Sequence, residues 1–360
     1  MNLSELLVAS AERYPDRAAA SDVRSGRSLT YAQLAREAAA VARFLRAAGV
    51  EPGMRVGLLA GNGLAYLPAA FGLLASGACL TPVASGLSPD ERSQILGEIG
   101  VNACLSARGE TAPPAEAGSA ERILEEGACA GFGLRFVRRA ADPPAGFHAL
   151  NPAFIRFTSG TTAASKGVIL SHQATLARVV AAADALGLGA EDRVLWVLPL
   201  AYHFAVTITA YVRAGAQILL CPDTLPGSVA KALREQRATL LYASPLHFER
   251  LSNLRSEGPL PALRLALSTT APIRDAVVAR FEAAYGVAVG QAYGIIEAGL
   301  PCINTRADET PAASVGRPLP GYDVAVFSEA GERLGAGEAG EVGVRGAGLF
   351  SGYYAPWQPF

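Results

Sequence analysis

Between Phe157 and His172 the chain reads FTSGTTAASKGVILSH. An apolar run ends directly at Thr158, Ser159, Gly160, Thr161 and Thr162, and Lys166 and Gly167 follow. Small hydroxyl residues and glycine let backbone N–H and side-chain O–H donors converge on one anion, and a lysine at the end of the loop adds mobile positive charge. The chemistry this suits is phosphate binding. No GxxxxGK[ST] stretch is present, so the segment is not a Walker A loop. On composition alone a flexible Ser/Thr/Gly surface loop is the competing reading. Elsewhere the reactive residue types are sparse. Cysteines stand at 79, 104, 129, 221 and 302, odd in number and far apart, with no CxxC pair or Cys/His cluster. That argues against a disulfide scaffold and a zinc site and favours a reducing compartment. His148, His172 and His247 have no partners recognisable in the sequence and read as structural.

The elements that must position the loop alternate between β and α. Arg55–Leu59 reads as a buried strand, Leu64–Ser76 as a buried helix and Cys79–Val83 as a strand. Leu29–Tyr31 is a short β piece, followed by an alanine-rich amphipathic helix over Ala32–Ala48 that stops at Gly49. Strands are expected at Ala153–Phe157, Val194–Leu198, Gln217–Leu220, Leu240–Ala243 and Leu263–Leu267. Helices are expected at Ala174–Leu186, Ser228–Glu235, Leu246–Leu254 and Ile273–Tyr285. This order predicts an α/β fold: two parallel-type β/α subdomains covered by helices. After Thr310 the pattern changes to short strands, Val324–Phe327 and Gly340–Arg345, with Gly-rich turns and no helix between them. A small antiparallel β subdomain is expected there. The boundaries read as 1–173 for the first subdomain, ending in the phosphate-binding loop, 174–310 for the second and 311–360 for the third. Arg108–Gly118 is the most linker-like stretch.

Composition agrees. At about 150 residues per domain, 360 residues lead to two or three domains or subdomains. A chain that is 51% hydrophobic and 18% charged is too apolar for disorder. A net charge of -1 points to neither a nucleic-acid backbone nor an anionic membrane as the main partner. Val56–Pro89 and Val194–Val212 carry no charge and exceed the ~18 residues that raise the question of a membrane span. Their internal turn residues divide them into short buried pieces, so no span is expected. The N-terminal stretch MNLSELLVASAERYPDR lacks a basic region ahead of an apolar one and reads as an amphipathic helix, not a signal peptide. A cytoplasmic location is expected.

Phe157–His172 resembles the TSGTTGxPKG loop of the adenylate-forming superfamily, which includes acyl- and aryl-CoA synthetases, peptide-synthetase adenylation domains and firefly luciferase. Thr158, Ser159, Gly160, Thr161, Thr162, Lys166 and Gly167 match; Ala163 replaces a glycine and Ser165 a proline. Other stretches follow in the family's order. Leu29–Leu34 resembles its LTYxxL element and Gly49–Gly53 its GVxPGD element. Ser268-Thr269-Thr270-Ala271-Pro272 resembles its SGGAP-type loop, with threonines in place of glycines, and Gln291–Glu297 its QxYGxTE motif. Gly316-Arg317-Pro318, Gly340–Gly346 and Gly352-Tyr353-Tyr354 resemble the elements that follow. The resemblance covers almost the whole chain.

The resemblance implies an AMP-forming ligase that activates a carboxylic acid with ATP as an acyl-adenylate and passes the acyl group to the thiol of CoA or of a carrier-protein pantetheine. Thr158, Ser159, Gly160, Thr161, Thr162 and Lys166 would then cradle the β- and γ-phosphates. Thr270, Ala271, Pro272 and Gly294 would border the nucleotide, Tyr293 would stack on adenine, and Glu297 would help hold Mg2+. Lys166 and Glu297 are the expected catalytic residues. Tyr202 and His203, in the stretch PLAYHFAV, together with Ala292 and Ile296, would line the substrate pocket. The plain readings remain beside these: a Tyr-Gly pair is often only a turn, Glu297 a surface carboxylate, and His203 a satisfied core residue. Ile296 stands where the family has a threonine and removes a hydroxyl, a loss of ~1.5–3 kcal/mol where the acceptor is charged. No acidic residue lies between Asp192 and Asp223 to pair with a substrate ammonium, which favours a fatty or aryl acid over an α-amino acid. The expected partners are that small acid and, as the alternative acceptor to CoA, an acyl or aryl carrier protein. The family continues beyond the GYY-like element into a TGD motif, a hinge and a C-terminal lid domain with a catalytic lysine. A chain ending at Phe360 is therefore expected to be the large N-terminal domain alone, adenylating poorly, with a non-catalytic acyl- or adenylate-binding module as the alternative.

Overall fold

Arg55–Leu59 is buried along its whole length and pairs in parallel with Cys79–Val83 on one side and Ala103–Ser106 on the other. A strand flanked on both edges and covered on both faces has no solvated side, which is why Val56–Leu59 is a continuous apolar run and not an alternation. In the computed structural model, which describes residues 2–110, 120–137, 142–157, 166–255, 257–306 and 310–360, this strand is central to a nine-stranded sheet. In spatial order the sheet runs Gln358–Pro359, Gly352–Tyr353, Gly167–Ser171, Pro152–Phe157, Cys79–Val83, Arg55–Leu59, Ala103–Ser106, Gly133–Phe136 and Arg122–Ile123. A second nine-stranded sheet runs Arg317–Pro318, Gly299–Asn304, Val289–Ile295, Leu265–Ser268, Leu240–Ala243, Arg193–Trp196, Gln217–Leu220, Ala18–Asp22 and Ser28–Thr30. Both have parallel centres, as the β/α alternation predicts, and antiparallel edges, which it does not. Tyr322–Phe327 and Glu341–Gly346 form the small antiparallel pair.

The helix Tyr66–Ser76 is buried on nearly every face. It crosses Tyr31–Ala47 so closely that a Cβ at Gly72 would lie 2.6 Å from the Val41 side chain. Tyr31–Ala47 begins in a capping box, in which Thr30 Oγ1 accepts from the Gln33 N–H and Gln33 Oε1 accepts from the Thr30 N–H. The LTYxxL element is thus a helix start. A second capping box, Ser88 with Glu91, opens the helix Pro89–Ile99, which the sequence reading did not single out. Gly49 takes φ +98 after the end of its helix, the left-handed stop expected of it.

Several ties stitch the layers together. The Tyr31 hydroxyl donates to the Ala216 carbonyl at 2.7 Å, and the Leu3 N–H donates to His172 Nδ1 at 3.1 Å. His247 pairs with Ser244 Oγ at 2.7 Å. All five cysteines are free and buried. Among the described residues no helix is long and apolar enough to cross a membrane.

Candidate active site

The hydroxyl-rich loop Thr158–Ser165, with its expected phosphate ligands Thr158, Ser159, Gly160, Thr161 and Thr162, lies outside the described residues. So does most of the linker-like stretch Arg108–Gly118. The two ends of the hydroxyl-rich loop are fixed by adjacent antiparallel strands, Pro152–Phe157 leading in and Gly167–Ser171 leading out, with Phe157 opposite Gly167. Lys166 is exposed at the exit, and its ammonium lies 4.7 Å from the ring centroid of Tyr353.

Tyr353 joins this lysine to the glutamate. Its hydroxyl donates to Glu297 Oε1 at 3.1 Å. Burial and the neighbouring carboxylate both push the phenol above its ordinary range, which keeps it a donor. Glu297 sits in the turn of a β-hairpin. Val289–Ile295 pairs with Gly299–Asn304, Ile295 faces Gly299, and three residues, Ile296, Glu297 and Ala298, close the loop. Gly299 takes φ +77, the left-handed residue that a three-residue hairpin of this kind needs. The Tyr-Gly pair is therefore not the turn itself: Tyr293 and Gly294 lie in the strand just before it. A Cβ at Gly294 would come 2.6 Å from the Gly299 carbonyl oxygen.

The hairpin turn is clamped from below by Arg178, which is buried in the helix His172–Ala185. Its guanidinium donates to the Ile296 carbonyl at 2.7 Å, the Glu297 carbonyl at 2.5 Å and the Gly348 carbonyl. Burial lowers its pKa to about 10, so it stays charged at neutral pH. The Phe350 N–H and the Tyr322 hydroxyl donate to the Glu297 and Ala298 carbonyls, both at 2.7 Å.

Beside the hairpin opens a cavity of about 480 Å³. Tyr202, His203, Thr270, Gly294 and Ile296 line it, so five of the expected site residues meet there. Ala292 is buried beneath the cavity; its carbonyl accepts from Thr269 Oγ1 at 3.2 Å. Tyr293, Ala271, Pro272, Lys166 and Glu297 are not among the lining residues. Thr270 holds φ +76, left-handed backbone in a β-branched residue, at a position where the family's loop carries glycine. Tyr202 and His203 end the short helix Leu200–His203, which runs into a π-helical turn over Phe204–Ile208. Such turns push side chains out of regular register and recur at functional sites. Asn62 pins this segment: its amide donates to the Leu198 carbonyl and its Oδ1 accepts from the Leu200 N–H, both at 2.8 Å.

His203 makes no hydrogen bond among the described residues. It contacts aromatic rings instead, 5.3 Å from Trp196 and 6.0 Å from Tyr242, which stack on each other at 5.9 Å. Burial, reinforced by the charge of Arg156, drives its pKa down to about 3, so the imidazole is neutral. The satisfied core histidine weighed for this position is not what the chain has built.

The sequence reading missed Arg156, Arg178, Tyr242, Thr269 and the bridging role of Tyr353. Arg156 and Phe157 are the last two residues before the hydroxyl-rich loop, and both line the cavity. The signal was a charge at the end of an otherwise apolar strand, AFIRF. Among the described residues no group of three His, Cys, Asp or Glu could hold a metal by itself.

Comparison with known proteins places these features in a family. The family model described as AMP-binding enzyme matches residues 7–354. A feruloyl-CoA synthase of Amycolatopsis sp is 30% identical over 336 residues, covering 91% of this chain and 67% of that protein. A 4-chlorobenzoate--CoA ligase of Arthrobacter sp is 29% identical over 355 residues, covering 94% and 66%. The chain thus spans about two thirds of the length of these relatives. The inhibitor-bound N-terminal domain of FACL13 from Mycobacterium tuberculosis superposes with a TM-score of 0.82 at 24% identity, covering 98% of this chain and 91% of that one.

Proposed function

This chain belongs to the AMP-binding enzyme family, whose members activate carboxylic acids with ATP, and from that premise we propose that its own acid is a small aryl acid, passed from an acyl-adenylate to the thiol of CoA. The observation that carries the reading is convergence. Segments far apart in sequence, Arg156-Phe157, Tyr202-His203, Thr269-Thr270 and Gly294–Ile296, border one cavity beside the mouth of the hydroxyl-rich loop. The aromatic rings of Tyr202, His203 and Tyr242 on its wall favour a flat substrate over a long alkyl chain. The names of relatives that act on feruloyl and chlorobenzoyl groups point the same way.

In the proposed reaction a carboxylate oxygen attacks the α-phosphorus of ATP. The bond to the bridging oxygen breaks, and pyrophosphate leaves with the electron pair. The CoA thiol then loses its proton and attacks the acyl carbonyl, and AMP departs. The chain's task is to neutralise the triphosphate and hold the carboxylate in line. Thr158, Ser159, Gly160, Thr161, Thr162 and Lys166 are the proposed ligands of the β- and γ-phosphates. Thr270, Ala271, Pro272 and Gly294 would border the nucleotide, and Tyr293 would stack on its base. Glu297 is the residue that would hold Mg2+. A hard cation bound to phosphates needs only one or two protein carboxylates and keeps its waters, and a single glutamate with one oxygen engaged by Tyr353 suits that. When bound, such an ion neutralises phosphate charge. A carrier-protein pantetheine is the alternative acceptor.

A second reading is a binding module that holds acid and nucleotide without joining them. Ile296 favours it, because an apolar side chain lines the cavity where a threonine hydroxyl would face the phosphate. Acid-dependent exchange of labelled pyrophosphate into ATP separates the two. Exchange with benzoate-type acids, followed by CoA thioester formation, supports the ligase. Binding of a non-hydrolysable ATP analogue and acid without exchange supports the module. Failure of every acid to bind overturns both.

A further inference from the structure

We propose that the acid activated by this chain carries a second anionic group, a carboxylate or sulfonate, and that Arg156 selects it. The proposal rests on the acid-activation reading above and names the substrate class for that cavity. Arg156 follows from strand alternation. On Pro152–Phe157 the side chains of Ile155 and Phe157 share one face of the sheet, packing around Gly167. Phe154 and Arg156 therefore share the other, and Phe154 lies 6.3 Å from Phe204, the residue after His203. This directs Arg156 towards the Tyr202–His203 wall, and it lines the cavity there.

Its guanidinium makes no hydrogen bond or ion pair among the described residues. The contrast with Arg178, which spends its donors on three carbonyls, is sharp. Burial brings Arg156 down to about 10, which leaves it charged at neutral pH. Tyr66, Tyr202 and Glu297 act on it, and its own charge acts on His203 and on Arg178. Tyr66 adds a second unmet need: its hydroxyl is buried and has no hydrogen-bond partner. A guanidinium with free donors, a neighbouring orphan hydroxyl and a neutral imidazole suit an anion with several acceptor oxygens. The same charge disfavours a substrate ammonium beside it. Glu91 and Glu98 also line the cavity, but they are exposed, on the helix Pro89–Ile99. Their repulsion disfavours an anion at that rim and leaves Arg156 as its seat.

The test compares two acids of one shape, 4-carboxybenzoate and the neutral 4-carbamoylbenzoate, with benzoate as reference. Binding to this chain is titrated calorimetrically with a non-hydrolysable ATP analogue present. A charge-assisted contact predicts that the dianion binds at least about tenfold tighter than the amide. Arg156→Met should erase that preference, weakening the dianion several-fold more than benzoate, and Arg156→Lys should keep part of it. Equal binding of dianion and amide to the unaltered chain overturns the proposal and leaves acid activation standing. An equal loss for all three acids in Arg156→Met also overturns it, because Arg156 would then hold the reacting carboxylate. If the analogue binds but none of the three acids does, both readings fail.

Discussion

Thr270 shows how a single residue can carry cost at a site. Left-handed backbone in a non-glycine residue costs about 1–3 kcal/mol, most for a β-branched side chain. Thr270 is exposed and lines the cavity, so no buried packing offsets its φ of +76. Thr270→Gly removes the strain and loses part of the gain to the greater freedom of the unfolded chain. A net stabilisation of about 1 kcal/mol is expected, read as a higher urea midpoint at constant slope. A lower midpoint would mean that the threonine side chain holds the loop in place. The resemblance exposed this position as two threonines where the family has glycines, but the sequence does not say which of the pair takes the strain. Only the backbone angle identifies the second. Arg156 escaped notice for a different reason. A charge at a strand end is common, and nothing local says that the face it occupies borders a cavity.

At the scale of elements, the hairpin Val289–Ile295/Gly299–Asn304 and the helix His172–Ala185 act as one unit through Arg178. Arg178→Met keeps most of the volume but leaves the Ile296 and Gly348 carbonyls without this donor, while the Glu297 carbonyl keeps the Phe350 N–H. Each unsatisfied buried acceptor costs about 1–3 kcal/mol, so a loss of about 2 kcal/mol or more is expected. Arg178→Lys should rescue little, because an ammonium cannot reproduce a fork that reaches three carbonyls. Urea unfolding of both variants checks this; an unchanged midpoint in Arg178→Met would show that water replaces the guanidinium. The elements themselves were largely legible. Arg55–Leu59, Cys79–Val83, Gln217–Leu220 and Leu240–Ala243 occur as expected, because buried parallel strands leave uninterrupted apolar runs. The helix Pro89–Ile99 was passed over although Ser88-Pro89-Asp90-Glu91 holds a complete start signal, since its charged sequence shows little apolar periodicity. The antiparallel edges were not legible. Strand direction depends on how the chain returns, and residues 18–30 pair with the second sheet across nearly two hundred intervening residues.

Burial makes three imidazoles of the molecule harder to ionise: His247, where Arg250 adds to the effect, and, with the larger shifts, His203 and His172. Burial lowers His203 to about 3, with Arg156 adding to the effect. It lowers His172 to about 4, with the N-terminal amine adding and Glu5 opposing. Their places differ: His203 walls the cavity, and His172 accepts the Leu3 N–H just before the helix Ser4–Arg13. Both pKa values are depressed in the folded state relative to an unfolded value near 6.5. Below pH 6.5 the unfolded chain therefore takes up protons that the folded chain refuses. Stability falls as pH falls from about 6.5 towards 4, with each group contributing up to about 1.4 kcal/mol per pH unit. Asp192 works in a lower window. Its carboxyl is held below its ordinary value against burial by hydrogen bonds from Arg264, Gly189 and Thr239, so its stabilisation is lost only as pH drops through the carboxylate range. The melting temperature is thus expected to decline from pH 6.5 to 4.5. The combined variant His172→Gln/His203→Gln should flatten that decline, because glutamine has nothing to protonate. An identical slope in the variant would assign the acid sensitivity to carboxylates and remove the two histidines from the account. A dianionic acid seated against Arg156 adds a sign that can be checked in the same experiment. Its charge favours protonation of the neighbouring His203, so saturating 4-carboxybenzoate should make the decline shallower in the unaltered chain, whereas 4-carbamoylbenzoate should not.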